Sequence, residues 1–171
     1  MIRNRFQELC VFLKKQKSSL KFQDDQFDAE IENMTVESGG HNETVNGVHL
    51  CNFRYQGVVY IERLPEASFP MLAIYIKSWL DNNDDLRSKY KLKSPLIDVV
   101  SLGSKLIDAM ATIDFVDEVY LVKANVTPPD DGSPAIPGEN QVEMFGAIYE
   151  VGEYALSIAE IGDVNGGSTD V

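Results

Sequence analysis

The sequence predicts an α+β fold: a mainly antiparallel sheet packed by an N-terminal amphipathic helix and a second helix that carries the only Trp. Three observations predict it. Apolar residues recur at helical spacing over residues 2–16. Long stretches at 28–38, 49–63 and 96–123 alternate or are dense in β-branched and aromatic residues. Between the second and third stretch, a Pro-bearing break opens a second helical stripe.

In the first helix Ile2, Phe6, Leu9, Cys10 and Leu13 share one face, with charge elsewhere. "DAEIENMTVES" then alternates, with Ala29, Ile31, Asn33 and Thr35 on one side and Met34 and Val36 on the other. "GGHNETVNG" is a turn-rich loop. "HLCNFRYQGVVYIER" reads as a long strand, and Gly57 in its middle predicts a bulge or bend. "LPEASFP" ends it, with Ser68 as N-cap and Pro70 in the first helical turn. Met71, Leu72, Tyr75, Ile76, Trp79 and Leu80 form the next apolar stripe, and the bulk of Trp79 suits a core anchor.

Residues 104–112 fit a helical period through Leu106, Ile107, Met110 and Ile113. They also fit a period of two through Ile107, Ala109, Ala111, Ile113 and Phe115. The second reading is adopted: strands over 96–101, 104–114 and 119–123, with a turn at Ser101–Ser104. The chain thus divides into a domain over 1–123, a Pro-rich loop or arm over 124–141, a hairpin over 142–161 turning at Val151–Glu153, and a disordered tail over 162–171. The arm holds Pro128, Pro129, Pro134 and Pro137.

Composition excludes several classes. The 171 residues are 44% hydrophobic and 25% charged, ordinary for a folded domain. No run approaches the roughly 20 apolar residues of a membrane helix. A net charge of −12 argues against a general nucleic-acid binder. The charge is segregated: residues 1–23 carry six basic groups against Glu8, including Lys14, Lys15 and Lys17, while the remainder is strongly acidic. Such polarity suits head-to-tail contact between copies, and equally a solvated helix face. Two cysteines, Cys10 and Cys51, without C-x-x-C spacing fit a reducing compartment.

Catalytic signatures are missing. Asp81-x-Asn83-x-Asp85 begins like a calcium loop, but Leu86 and Leu92 stand where Gly and Glu are needed. His41 and His49 lack partners at zinc spacing, and nucleophile-elbow and phosphate-loop motifs are absent. Asp98, Asp108, Asp114, Asp117 and Glu118 are scattered carboxylates whose convergence spacing alone does not show. The reading is a non-enzyme without metal or cofactor.

One stretch points further. "FRYQGVVYIERLPEASFPMLAIYIKSWLDNN" resembles the phage tail completion protein R family, the tail terminators of contractile-tailed phages. The matching residues are Phe53, Arg54, Tyr55, Val58, Val59, Tyr60 and Ile61 on the strand, then Pro70, Leu72, Trp79, Leu80 and Asn82 on the helix. The similarity covers roughly residues 2–123, with no counterpart for the loop over 39–47 or for the chain after Ala124. Phe53, Tyr55, Trp79 and Leu80 are the expected core anchors.

The resemblance implies a ring, hexameric by family analogy, at the head-proximal end of the tail tube in the virion. Its partners would be further copies of itself and the tail tube protein, with sheath and neck or connector proteins as neighbours. DNA would be passing cargo only, and no membrane is involved. Lys14, Lys15, Lys17 and the four arm prolines are candidate subunit or tube contacts. Asp81, Asp84 and Asp85 are candidate lumen acids, or simply an exposed helix end. A different neck protein, or an acidic immunity protein that masks a basic enzyme, are the alternatives.

Overall fold

A computed structural model describes residues 4–151 of the chain. Helix α1 (Arg5–Lys15) is started by a reciprocal cap: Asn4 Oδ1 accepts from the Gln7 backbone at 2.8 Å, and Gln7 Oε1 accepts from the Asn4 backbone at 3.0 Å. Phe6, Leu9, Cys10 and Leu13 are buried as their spacing requires, while Ile2 lies outside the described residues. A short helix α2 (Lys17–Leu20) ends at left-handed Lys21, and Leu20 and Phe22 turn inward.

Strand β1 (Phe27–Ser38) follows the expected alternation only as far as Glu32. A bulge between Glu32 and Thr35, with Asn33 at φ 54°, shifts the register by one residue. Met34 therefore joins Ala29 and Ile31 on the core side, which corrects the facing read from strict alternation.

After the two-residue strand β2 (Glu43–Thr44), β3 (Gly47–Pro65) runs the length of the domain. Its irregularities fall at His49/Cys51 and Ile61/Leu64, not at Gly57. Gly57 is glycine for a different reason: a Cβ there would lie 2.3 Å from Cδ2 of the buried Phe6 ring. The backbone of β3 is the floor on which α1 rests.

Helix α3 (Phe69–Asn83) has Pro70 in its first turn; Ser68 occupies the N-cap position but its side chain makes no capping bond. Leu72, Ile76, Trp79 and Leu80 are buried, whereas Met71, expected in the stripe, is exposed. The one-turn helix α4 (Leu86–Lys89) leads into β4 (Leu96–Gly103). The turn to β5 is a two-residue loop at Ser104–Lys105, both left-handed (φ 51° and 59°), three residues later than the start expected from sequence. β5 (Leu106–Lys123) is one strand where two were expected, because "FVDE" continues the ladder with β3 unbroken.

All strands pair antiparallel in one sheet of order β1-β3-β5-β7-β6, where β6 is Gln141–Met144 and β7 is Ala147–Val151. β4 pairs with the first half of β5, and β7 with its last three residues, on the same edge. The α+β class is as the sequence predicts. One sheet face, carrying Tyr55, Val59, Ile61, Ile107, Ala111, Ile113 and Phe115, forms the core with α1 and α3; on the other, Val58 and Val116 are buried while Asp28, Glu30, Asp98 and Val100 are open to solvent.

Residues 124–140 form neither helix nor strand, with Pro128, Pro129 and Pro134 exposed and Pro137 half-buried. The hairpin that follows turns at Phe145–Gly146 (φ 52° and 74°), where Gly146 tolerates the left-handed conformation; the turn expected at Val151–Glu153 lies, except for Val151, outside the described residues. The rest of the expected hairpin and the expected disordered tail lie outside the described residues.

Candidate assembly surfaces

Charged and polar groups gather at three places. The first is a buried ionic knot where α1, α3, α4 and the sheet meet. Arg5 reaches Asp85 Oδ1 at 2.8 Å, Asp117 Oδ1 at 3.4 Å and Asp84 Oδ1 at 3.6 Å. Asp84 also faces Arg87 at 3.4 Å, and the Tyr55 hydroxyl donates to Asp117 Oδ2 at 2.5 Å. Burial pushes the Asp84 carboxyl above its ordinary range against the pull of Arg5 and Arg87. Burial likewise raises Asp117, opposed by Tyr55 and Arg5. The Asp84 and Asp117 carboxylates are enclosed and held by the guanidinium groups of Arg5 and Arg87. The arrangement ties elements together, and Asp84, Asp85 and Arg87 also line a cavity of about 660 Å³ beside α3 and α4.

The knot corrects one expectation. Asp84 is a buried ligand of two arginines, so it cannot line a lumen; the chain turns inward at the end of α3, where the Asp84 backbone caps Leu80. Asp81 and Asp85 are exposed, the former paired with Lys77 one helical turn away and the latter with Arg5.

The second place is a wedge on the edge of β5. Among the described residues β4 pairs only as far as Thr112 and β7 only from Leu121, which leaves a gap. α4 fills it: Arg87 donates to the Asp114 carbonyl at 2.9 Å and to the Lys93 carbonyl. Glu118 receives the Tyr90 hydroxyl at 2.6 Å, the Tyr120 hydroxyl at 2.7 Å and the Lys89 ammonium. Partial burial would raise the Glu118 carboxyl, but Lys89 and the two tyrosines outweigh it and hold it near about 2. Burial and the Glu118 charge push Tyr90 up to about 12. His49 stacks on Tyr120 with ring centroids 5.0 Å apart.

The third place is the open sheet face. Asp25, Asp28, Glu30, Glu62, Asp98 and Asp108 surround a groove of about 730 Å³ whose floor includes Tyr60, Val100 and Met110. Tyr60 donates to Glu30 at 2.9 Å, and the Arg63 backbone donates to Asp108. None of the six acids has an ion pair among the described residues.

The sequence-derived contact lysines sit on the helix side. Lys14 lies over the Phe27 ring at 5.1 Å, Lys17 pairs with Asp24 at 2.7 Å, and Lys15 is exposed. The core anchors Tyr55, Trp79 and Leu80 are buried, and Phe53 is half-buried against the core. Among the described residues no group of three or more His, Cys, Asp or Glu side chains is placed to hold a metal ion. Both cysteines are buried and free, and burial pushes Cys10 up to about 12. No helix among the described residues is long and apolar enough to cross a membrane. Sequence reasoning missed the knot, since nothing in spacing links Arg5 to Asp117. The open acidic face was detectable in principle from the period-two run Asp28-x-Glu30-x-Glu32.

The model of the family described as P2 phage tail completion protein R (GpR) matches residues 3–134, the entire helix-and-sheet core plus part of the arm. The chain belongs to the phage tail completion protein R family. A relative from Haemophilus phage HP1 (strain HP1c1), described as an uncharacterized 19.2 kDa protein in the rep-hol intergenic region, is 26% identical over 136 residues. That match covers 78% of this chain and 74% of the relative. No solved structure matches. This tail completion protein R member has its hairpin β6–β7 entirely beyond the matched region.

Proposed function

We propose that this protein is a tail terminator: a structural virion component that forms a ring on the head-proximal end of the tail tube. There it ends tube polymerisation and joins the tail to the neck. The observation that carries the reading is the family match across the whole core. The acids enclosed in the knot, committed to structural partners, fit a protein that works by surface complementarity rather than catalysis. The edge of β4, unpaired among the described residues, supports it as well. Leu96 and Val100 are 60% and 63% exposed there, an unprotected apolar strand of the kind that soluble monomers avoid.

By family analogy the ring is a hexamer, with the tail tube protein as its axial partner. Phage lacking this gene are the test, imaged by negative stain. Tubes of uncontrolled, excess length are expected. Tails of normal length left unattached to heads would instead identify a connector, and would overturn the terminator reading.

A further inference from the structure

We infer that the open acidic face of the sheet is the docking site for the basic helix layer of a second copy of this chain. The inference deepens the proposed ring, and rests on the reading that copies of the chain associate.

The argument starts from the groove. Its six carboxylates lie on β1, β3, β4, β5 and the turn before β1, and none is neutralised by an ion pair among the described residues. Like charges gathered on one surface repel one another, so the face is under electrostatic tension that a cationic partner would relieve. The groove is not merely a solvated acidic surface, because its floor is apolar. Val100 is mostly exposed, and it stands beside the half-buried Tyr60 and Met110, with exposed Leu96 further along the same face of β4. A fitting partner therefore has cations next to apolar side chains.

The chain itself carries such a surface. Lys15 and Lys21 are exposed, with no ion pair among the described residues. On the same helix layer, α2 abuts α3 through the Ser19 and Tyr75 hydroxyls, 2.9 Å apart, and α3 exposes Met71 and Ile74. Within one copy the helix layer packs on the other sheet face and meets the groove at its Phe27 rim, under Lys14, while Lys15 and Lys21 make no ion pair with its acids among the described residues. Between copies they form a contact that uses two different patches. Contacts of this kind close into rings when the rotation per subunit closes.

The test uses two full-length variants and their mixture. One carries Asp25→Lys, Glu62→Lys, Asp98→Lys and Asp108→Lys, which leaves four cations against two acids on that face; the other carries Lys15→Glu and Lys21→Glu. Circular dichroism confirms the fold of each, and sedimentation velocity reads association. Neither variant alone is expected to associate as the unaltered protein does, because each sets like charges against each other. The mixture is expected to regain association, because both kinds of contact in an alternating assembly then join opposite charges. Unaltered association of either single variant overturns the inference, as does a mixture that stays dissociated. A wild-type chain that stays monomeric, alone and with tail tubes, also overturns it. A basic protein other than this chain that is held by the face and released by the four acidic-face substitutions would show a different occupant, with the same consequence. Tube capping is scored separately. Capping by variants that fail the mixing test would leave the terminator reading standing, whereas restored association without capping would do the reverse.

Discussion

Gly57→Ala sets two forces against each other, and the structure says which wins. Strand propensity alone favours Ala over Gly by roughly 0.5–1 kcal/mol, through the entropy that Gly loses on folding. The new methyl group, however, would sit 2.3 Å from Phe6 Cδ2 and 2.5 Å from Cε2. Regaining ordinary contact requires the ring to withdraw by roughly 1 Å. Phe6 is fully buried, with its ring 5.8 Å from that of Phe115, and has nowhere to go. Overpacking of this kind costs about 1–3 kcal/mol. For a domain of this size that lowers Tm by about 2–4 °C per kcal/mol. Urea unfolding of the wild type, Gly57→Ala, Phe6→Leu and the double variant measures it. Gly57→Ala is expected to destabilise the wild type, and to cost markedly less in the Phe6→Leu background, where the ring is gone. A stabilising Gly57→Ala, or an equal cost in both backgrounds, would refute the claim that α1 seats its ring on the bare backbone of β3.

Other consequences are equally direct. Arg5→Ala removes the cation shared by Asp84, Asp85 and Asp117, and should cost about 3 kcal/mol or more in urea unfolding near neutral pH. The raised Asp84 and Asp117 carboxyls favour the protonated form in the folded state, so this deficit should shrink as acid neutralises them. Glu118 behaves oppositely: its folded pKa is depressed to about 2 from 4.5, so its contribution is full above about pH 4.5 and is lost as pH falls toward about 2. Glu118→Gln should therefore flatten the fall in Tm across that window. Trp79→Ala, which empties a nearly buried site between α3 and the sheet, should cost about 3–5 kcal/mol by thermal or urea unfolding. Finally, Cys10 should resist a thiol reagent in the native protein and react only on unfolding, given its full burial and a pKa near about 12.

The fold was largely legible because its core rests on periodicity. Phe6, Leu9, Cys10 and Leu13 write a helix face, and Ile107 to Phe115 write a strand face, without reference to anything distant. What stayed hidden depends on single-residue geometry or on contacts far apart in sequence. The Asn33 bulge reverses the facing of Met34 through one positive φ, at a residue that looks like any other polar strand position. Gly57 signalled an unusual demand, but whether that demand was a bend or a neighbour's ring depends on Phe6, 51 positions earlier. Asp84 looked like the exposed acid of a helix end, and its burial follows from arginines on α1 and α4 that spacing cannot bring together. The acidic groove is assembled from four strands and a turn, so each contributing acid looks ordinary when read alone.

Among the described residues the hairpin β6–β7 pairs with the domain at Leu121–Val151, Val122–Glu150 and Lys123–Tyr149, and its tip meets it where the His41 and Phe145 rings stand 5.7 Å apart. The family match stops at residue 134, before the hairpin begins. An appendage that lies beyond the family match and away from the helix layer can change in length or sequence without disturbing how α1 and α3 pack. Its exposed Phe145 gives each version a separate face to offer its surroundings. The core can then stay constant while the hairpin varies as an interchangeable adaptor.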